Sequence, residues 1–173
     1  MLHKIGFRKF SSFVKNEINA YDIYKKSCYN KVDFIIHEEK PIQEALARFS
    51  VLNISSLAVV DNNNDLYGVL SKRDYINKVA IYNKSNENIK VKDICTNGNH
   101  VILAKKNDSI QNCMHKMLFK NIHHLLIVDD EDKNFIGMIS MKDIIQEIMK
   151  DKEETITRLT DFNLGKGAFF GSE

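Results

Sequence analysis

Apolar residues recur along this chain with two alternating periods. A short apolar run, Phe34-Ile35-Ile36, gives way to Ile42, Ala45, Leu46 and Phe49, whose spacing puts one apolar face on a helix. Leu57-Ala58-Val59-Val60 follows, a compact aliphatic and β-branched run that reads as a strand. The polar stretch from Asp61 to Asp65 then turns the chain into a second strand, Leu66 to Leu70, which predicts a hairpin. A new helix is expected to begin at Ser71. The unit is β-α-β-β-α.

The same order returns further along. The strand Val101-Ile102-Leu103 precedes a helical face of Ile110, Cys113, Met114 and Met117, then Leu125 to Val128, a polar turn, Phe135 to Ile139, and a helix from Ser140. A shift of 68 residues superposes Ile42-Gln43 on Ile110-Gln111, Asn53-Ile54 on Asn121-Ile122 and Val60-Asp61 on Val128-Asp129. One extra loop residue then aligns Gly68 with Gly137, Ser71 with Ser140 and Asp74 with Asp143; upstream, Asp22-Ile23 echoes Asp93-Ile94. Pro41 suits the first turn of its helix, and Asp108 or Ser109 can cap the equivalent one. Two copies of one unit are thus expected, at residues 20–82 and 91–150. A basic segment (1–19) precedes them, and a helical extension with a flexible tail (151–173) follows. A unit of about 60 residues is marginal alone, so the copies should share a core. The expected fold is α/β (α+β), two tandem repeats packed as one pseudo-symmetric module.

Composition narrows the function classes. The 173 residues are 43% hydrophobic and 28% charged, an ordinary globular balance, with a net charge of +2. Lys and Arg are scattered, so no nucleic-acid face is expected. No apolar run approaches the roughly 18 residues of a membrane span, so no membrane partner is expected. The three cysteines stand far apart without a C-x-x-C, which argues against a disulfide framework or zinc ribbon. Cys113 falls on an apolar helix face as an inert core thiol, whereas Cys95, in a polar turn, is expected to be the more exposed. Nucleophile-elbow, H-E-x-x-H and P-loop patterns do not occur, so no catalytic residue, metal site or required cofactor is assigned. The adjacent pair His123-His124 makes a poor metal site, because neighbouring strand residues face opposite ways.

The chemistry lies in Ser-x-x-Asp, which occurs at both strand-to-helix junctions as Ser71/Asp74 and Ser140/Asp143. One reading is a capping box: the Ser oxygen accepts from the first helical turn and the acid reaches back. The other is nucleotide binding, with the carboxylate accepting from vicinal ribose hydroxyls and the Ser hydroxyl and helix N–H groups facing a phosphate. Lys72, Arg73 and Lys142 stand beside these acids, either to neutralise phosphate or as a solvated first turn.

The stretches Leu57-Ala58-Val59-Val60-Asp61 with Gly68-Val69-Leu70-Ser71-Lys72-Arg73-Asp74, and Leu125-Leu126-Ile127-Val128-Asp129 with Gly137-Met138-Ile139-Ser140-Met141-Lys142-Asp143, resemble the body of a CBS motif. Two such motifs in tandem form a Bateman module. The resemblance covers about residues 20 to 160 and is similar to small stand-alone CBS-pair proteins of plant mitochondria and bacteria. It implies a regulatory module, usually dimeric, with clefts between the repeats for AMP, ATP, NAD(H) or S-adenosylmethionine. It also implies that a His or Arg can face phosphate where His123 and His124 stand. Their first-repeat counterparts, Ser55 and Ser56, are weaker ligands, so the clefts should be unequal. The adenine would lie near Phe34 or Ile102, although core packing suits both residues. The alternative is a structural dimerisation module with no bound nucleotide.

The two ends add expectations. Residues 1 to 16 carry Lys4, Arg8, Lys9 and Lys15, several apolar residues and no acid, a presequence-like composition pointing to the mitochondrial matrix, or else an ordinary basic arm of a cytoplasmic protein. At the far end, Ile145, Ile148 and Met149 continue towards Ile156, Leu159 and Phe162, an extension suited to packing on a second copy. Tyr75, Ile76, Val79 and Ile144 are expected to lie partly uncovered beside it, on a face suited to a homodimer.

Overall fold

The computed structural model describes residues 18–82, 85, 88–131 and 134–163. In the first repeat, β1 (Ile35–His37) runs parallel to β2 (Ser56–Val60), which pairs antiparallel with β3 (Leu66–Ser71). A parallel neighbour requires a crossover, and α2 (Ile42–Val51) supplies it. The second repeat repeats the plan with β5 (Leu103–Lys105), α5 (Ile110–Phe119), β6 (His124–Val128) and β7 (Phe135–Ser140). Both hairpins carry a register shift at the same place, Val59/Val60 and Ile127/Val128. The fold is mixed α/β, as the hydrophobic pattern predicts.

The elements that lead into each repeat cross over to the other one. At the start of the first repeat, α1 (Ala20–Lys26) docks on the second: the Ala20 amide donates to the Asp108 carbonyl at 2.8 Å, and Ala20 and Ile23 are buried with Ile110, Leu125 and Ile144. At the start of the second, α4 (Val91–Ile94) docks on the first: the Val91 amide donates to the Lys40 carbonyl at 2.9 Å, and Val91 and Ile94 are buried with Ile42, Phe49 and Leu57. Lys90 and Lys92 both reach Glu39, holding its carboxyl down at about 2. The strand β4 (Thr96–Asn97) then extends the first sheet by pairing with β3. Leu126 and Met138 join the first repeat's core, and Phe34 meets Phe135 edge-on at 6.0 Å, so the halves share buried surface.

Several boundaries differ from expectation. The opening strands start at Ile35 and Leu103, later than the apolar runs suggest. After α3 (Lys72–Lys78), the backbone of Val79 leaves helical geometry and buries that side chain, 1% exposed; a 3-10 turn, Ala80–Tyr82, follows. Ile144 is also fully buried. Val79 and Ile144 are therefore core residues and not part of an open face; the exposed apolar residues there are Ile76, Ile81, Tyr82, Ile145 and Met149. One continuous helix, α6 (Met141–Asn163), runs out of the module with Ile156, Leu159 and Phe162 exposed. Cys95 is buried, against expectation, and burial lifts its thiol to about 11; Cys28 is the exposed cysteine. Cys113 is buried as expected, its thiol also raised to about 11. The presequence-like residues 1–17 and the tail beyond 163 lie outside the described residues.

Candidate functional site

Each Ser-x-x-Asp closes a capping box. The Asp74 amide donates to Ser71 Oγ at 3.3 Å, while Asp74 Oδ2 accepts from the Ser71 amide at 2.8 Å and its hydroxyl at 2.6 Å. Ser140 and Asp143 repeat this at 3.3, 2.7 and 2.6 Å. The capping reading is realised twice. It leaves Asp74 a second oxygen, Oδ1, towards which Thr96 Oγ1 donates at 3.4 Å and Lys78 points at 3.9 Å.

Around Ser71 and Asp74 lies a cleft of about 510 Å³ between the repeats. Val69, Val101, Ile102, Ile122 and Leu126 form its apolar walls; Ser55, Ser56, Ser71 and Thr96 supply hydroxyls. Lys72, Arg73 and Lys120 bring three formal positive charges against the single carboxylate of Asp74, and His100 and His123 add imidazoles. Arg73 is held in place across the repeats, donating to the Asn121 carbonyl at 2.9 Å. Asn121 and its repeat mate Asn53 are both left-handed, φ 51, at the helix exits, a conformation that asparagine tolerates.

The opposite cleft, beside Ser140 and Lys142, measures about 360 Å³ and is lined by Cys28, Tyr29, Asn53, Ile54, Ser55, His123, His124 and Met141. His124 sits between the two clefts. Its Nδ1 meets Ser56 Oγ at 2.9 Å and its Nε2 meets the Tyr29 hydroxyl at 2.9 Å, with Ser55 Oγ at 3.4 Å. Ser56 is the repeat mate of His124, so the pseudo-two-fold axis passes through this pair. Burial pushes the imidazole down to about 4, leaving a neutral ring whose donor and acceptor nitrogens the two hydroxyls can complement.

The sequence expectations therefore divide. Ser55, Ser71, Lys72, Arg73, Asp74, Ile102, His123 and His124 meet around the larger cleft; Ser140 and Lys142 line the smaller, with Asp143 held against Ser140. His124 is a neutral, doubly bonded ring, which does not suit a cationic phosphate ligand. Phe34 does not line either cleft: it is 5% exposed and packed edge-on against Tyr29 and Phe135, so it is core and not adenine pocket. Thr96, His100, Lys120 and Asn121 escaped the sequence reading. The recurrence of Asn53 as Asn121 was the available signal, since it marks equivalent helix exits facing the clefts.

Among the described residues no His/Cys/Asp/Glu cluster suits a metal, and no helix is long and apolar enough to cross a membrane. The chain is 27% identical over 126 residues to the CBS domain-containing protein CBSX3, mitochondrial, of Arabidopsis thaliana, covering 72% of this chain and 60% of that protein's length. Among solved structures, a protein with CBS domains from Burkholderia ambifaria superposes with a TM-score of 0.69 at 23% identity, covering 78% of this chain and 96% of the other. CBSX2 of Arabidopsis thaliana, solved in complex with AMP, superposes with a TM-score of 0.63 at 17% identity over 78% and 98% of the two chains. A sequence model of the CBS domain matches residues 27–81 and again 91–150, together most of the two repeats, and the chain belongs to the CBS domain family.

Proposed function

We propose that this chain is a non-catalytic regulatory module that senses an anionic adenosine-containing ligand, AMP or ATP in preference to S-adenosylmethionine, in the cleft beside Ser71 and Asp74. The observation that carries this reading is the charge of that cleft, where Lys72, Arg73 and Lys120 oppose one carboxylate. A phosphate gains from such a set, whereas a sulfonium cation is repelled by it. The apolar walls around Ile102 and Val101 suit a base. Thr96 and Asp74 Oδ1 suit ribose hydroxyls, and the Lys72, Arg73 and Lys120 side chains suit phosphate. The AMP bound by CBSX2 supports this ligand class. Thermal unfolding with each ligand tests it. AMP or ATP at about 100 times its dissociation constant adds roughly 2.7 kcal/mol, a rise of about 5 to 11 °C for a chain this size. A larger rise with S-adenosylmethionine than with AMP would refute the charge argument. No rise with any adenosine ligand would favour a purely structural module, a reading the two closed capping boxes support.

The exposed stripe of Ile145, Met149, Ile156 and Leu159 on α6, with Ile76 of α3, supports a homodimer, which sedimentation at tens of micromolar tests against the 20.0 kDa monomer. The basic residues 1–16 and the similarity to a plant protein named mitochondrial support a matrix location. Residues 1–20 fused to a fluorescent reporter should enter mitochondria; diffuse cytosolic signal would count against it.

A further inference from the structure

The clefts are built from equivalent elements, yet the 3-10 turns preceding the opening strands, Cys28–Asn30 and Gly98–His100, treat them oppositely. On the smaller cleft, Tyr29 points inward, 3% exposed, its hydroxyl on His124 and its ring edge-on to both His124 and Phe34. Burial raises that phenol to about 12. At the equivalent turn on the larger cleft stand exposed Gly98, left-handed at φ 58 with nothing within 4 Å of an added Cβ, exposed Asn99, and His100, which lines the cleft but stays exposed where Tyr29 is buried. The acids differ in the same sense. Asp143 Oδ2 accepts a third bond, at 2.9 Å, from Ser27 Oγ, whose residue is 1% exposed. Thr96 offers Asp74 only the longer 3.4 Å contact, on the other oxygen.

We infer that Tyr29 occupies the smaller cleft as a built-in substitute for a ligand, with Ser27 engaging Asp143 beside it, so that each chain takes up one nucleotide, in the larger cleft, and Tyr29 sets that number. The phenol presents a flat ring and one hydroxyl where a base would lie, and the Ser27 hydroxyl crowds the Oδ2 side of the carboxylate that would otherwise take a sugar. The space left, about 360 Å³, is near the lower end, roughly 300 Å³, of small-molecule sites.

This inference rests on the larger cleft being a nucleotide site, and AMP titration of the full chain by calorimetry and native mass spectrometry separates the two ideas. Wild type should bind one AMP per chain. Lys120→Glu, an exposed change at the larger cleft, should weaken it at least tenfold, whereas Lys142→Glu, an exposed change at the smaller cleft, should stay within twofold. Tyr29→Ala should bind a second AMP, lost again when Lys142→Glu is added. Two AMP per wild-type chain overturns the inference while sparing the functional reading; a loss caused by Lys142→Glu instead of Lys120→Glu puts AMP in the smaller cleft and overturns both. AMP bound only after Tyr29→Ala upholds the plug and overturns the reading of the larger cleft. Binding by none of these proteins removes both. Should Tyr29→Ala fail to fold, stoichiometry and the charge-reversal pair still decide.

Discussion

Gly68 and Gly137 hold equivalent places in the two sheets, and what presses on them differs. A Cβ at Gly68 would overlap the Thr96 carbonyl oxygen, because β4 pairs with β3 at that point; at Gly137 it would overlap the ring of Tyr24. The first sheet is closed by backbone and keeps an open cleft beside its edge. The second is closed by aromatic side chains, Tyr24 here and Tyr29 beyond, and its cleft is narrower. Repeats of one ancestral pattern thus acquire separate tasks through the short segments that lead into them.

The largest test of this contrast is truncation at the two turns. Tyr29→Ala removes a buried aromatic ring and should cost about 3 to 5 kcal/mol in chemical denaturation, whereas Asn99→Ala, at the exposed counterpart, should stay within roughly 0.5 kcal/mol. Equal costs would abolish the asymmetry. Next comes pH, felt by His124 but not by its mate Ser56. The unfolded chain binds that proton near 6.5 and the folded one only near 4, so acid favours unfolding. Stability should be fully present above about pH 6.5 and fall by on the order of 3 kcal/mol as pH drops to about 4. His124→Gln should flatten that window, while Ser56→Ala should lower stability without changing its slope. Paired carboxylates such as Glu39 lose their contribution from about pH 4.5 downward and so overlap only the acid end of this range, and the difference between wild type and His124→Gln isolates the imidazole. Substituting the glycines follows: Gly68→Ala, meeting backbone, should cost about 3 kcal/mol, and Gly137→Ala, meeting a ring that can turn, about 2. Smallest are the caps. Ser71→Ala and Ser140→Ala should each cost about 1 kcal/mol, with the second larger because Ser140 is 8% exposed.

Most of the repeat was legible because its signals are local. Leu57 to Val60 and Leu125 to Val128 are buried strands by composition alone, and the polar turns after them leave little choice but a hairpin. The caps were legible too, since Ser-x-x-Asp acts within one turn. The partners of the leading segments were not. Nothing adjacent to Ala20 or Ile23 tells that they are buried against Asp108 and Leu125, and nothing in Cys95-Thr96-Asn97 announces a strand on β3. Cys95 reads as exposed from its polar neighbours because its cover comes from another repeat. Tyr29 was invisible as a plug for the same reason: its partner His124 is 95 residues away.

The crossed leading helices also set a timetable for the nascent chain. The first repeat can close once α4 has emerged, but α1 was made earlier still and finds its seat only when Asp108 and the strands after it exist. At roughly 5 to 20 residues per second, the nearly 90 residues between Ala20 and Asp108 take about 5 to 20 s to synthesise. For that interval the apolar face of Ile23 has no home in the chain, and whatever shields it then, a chaperone or an early contact on the first repeat, acts before the module itself can.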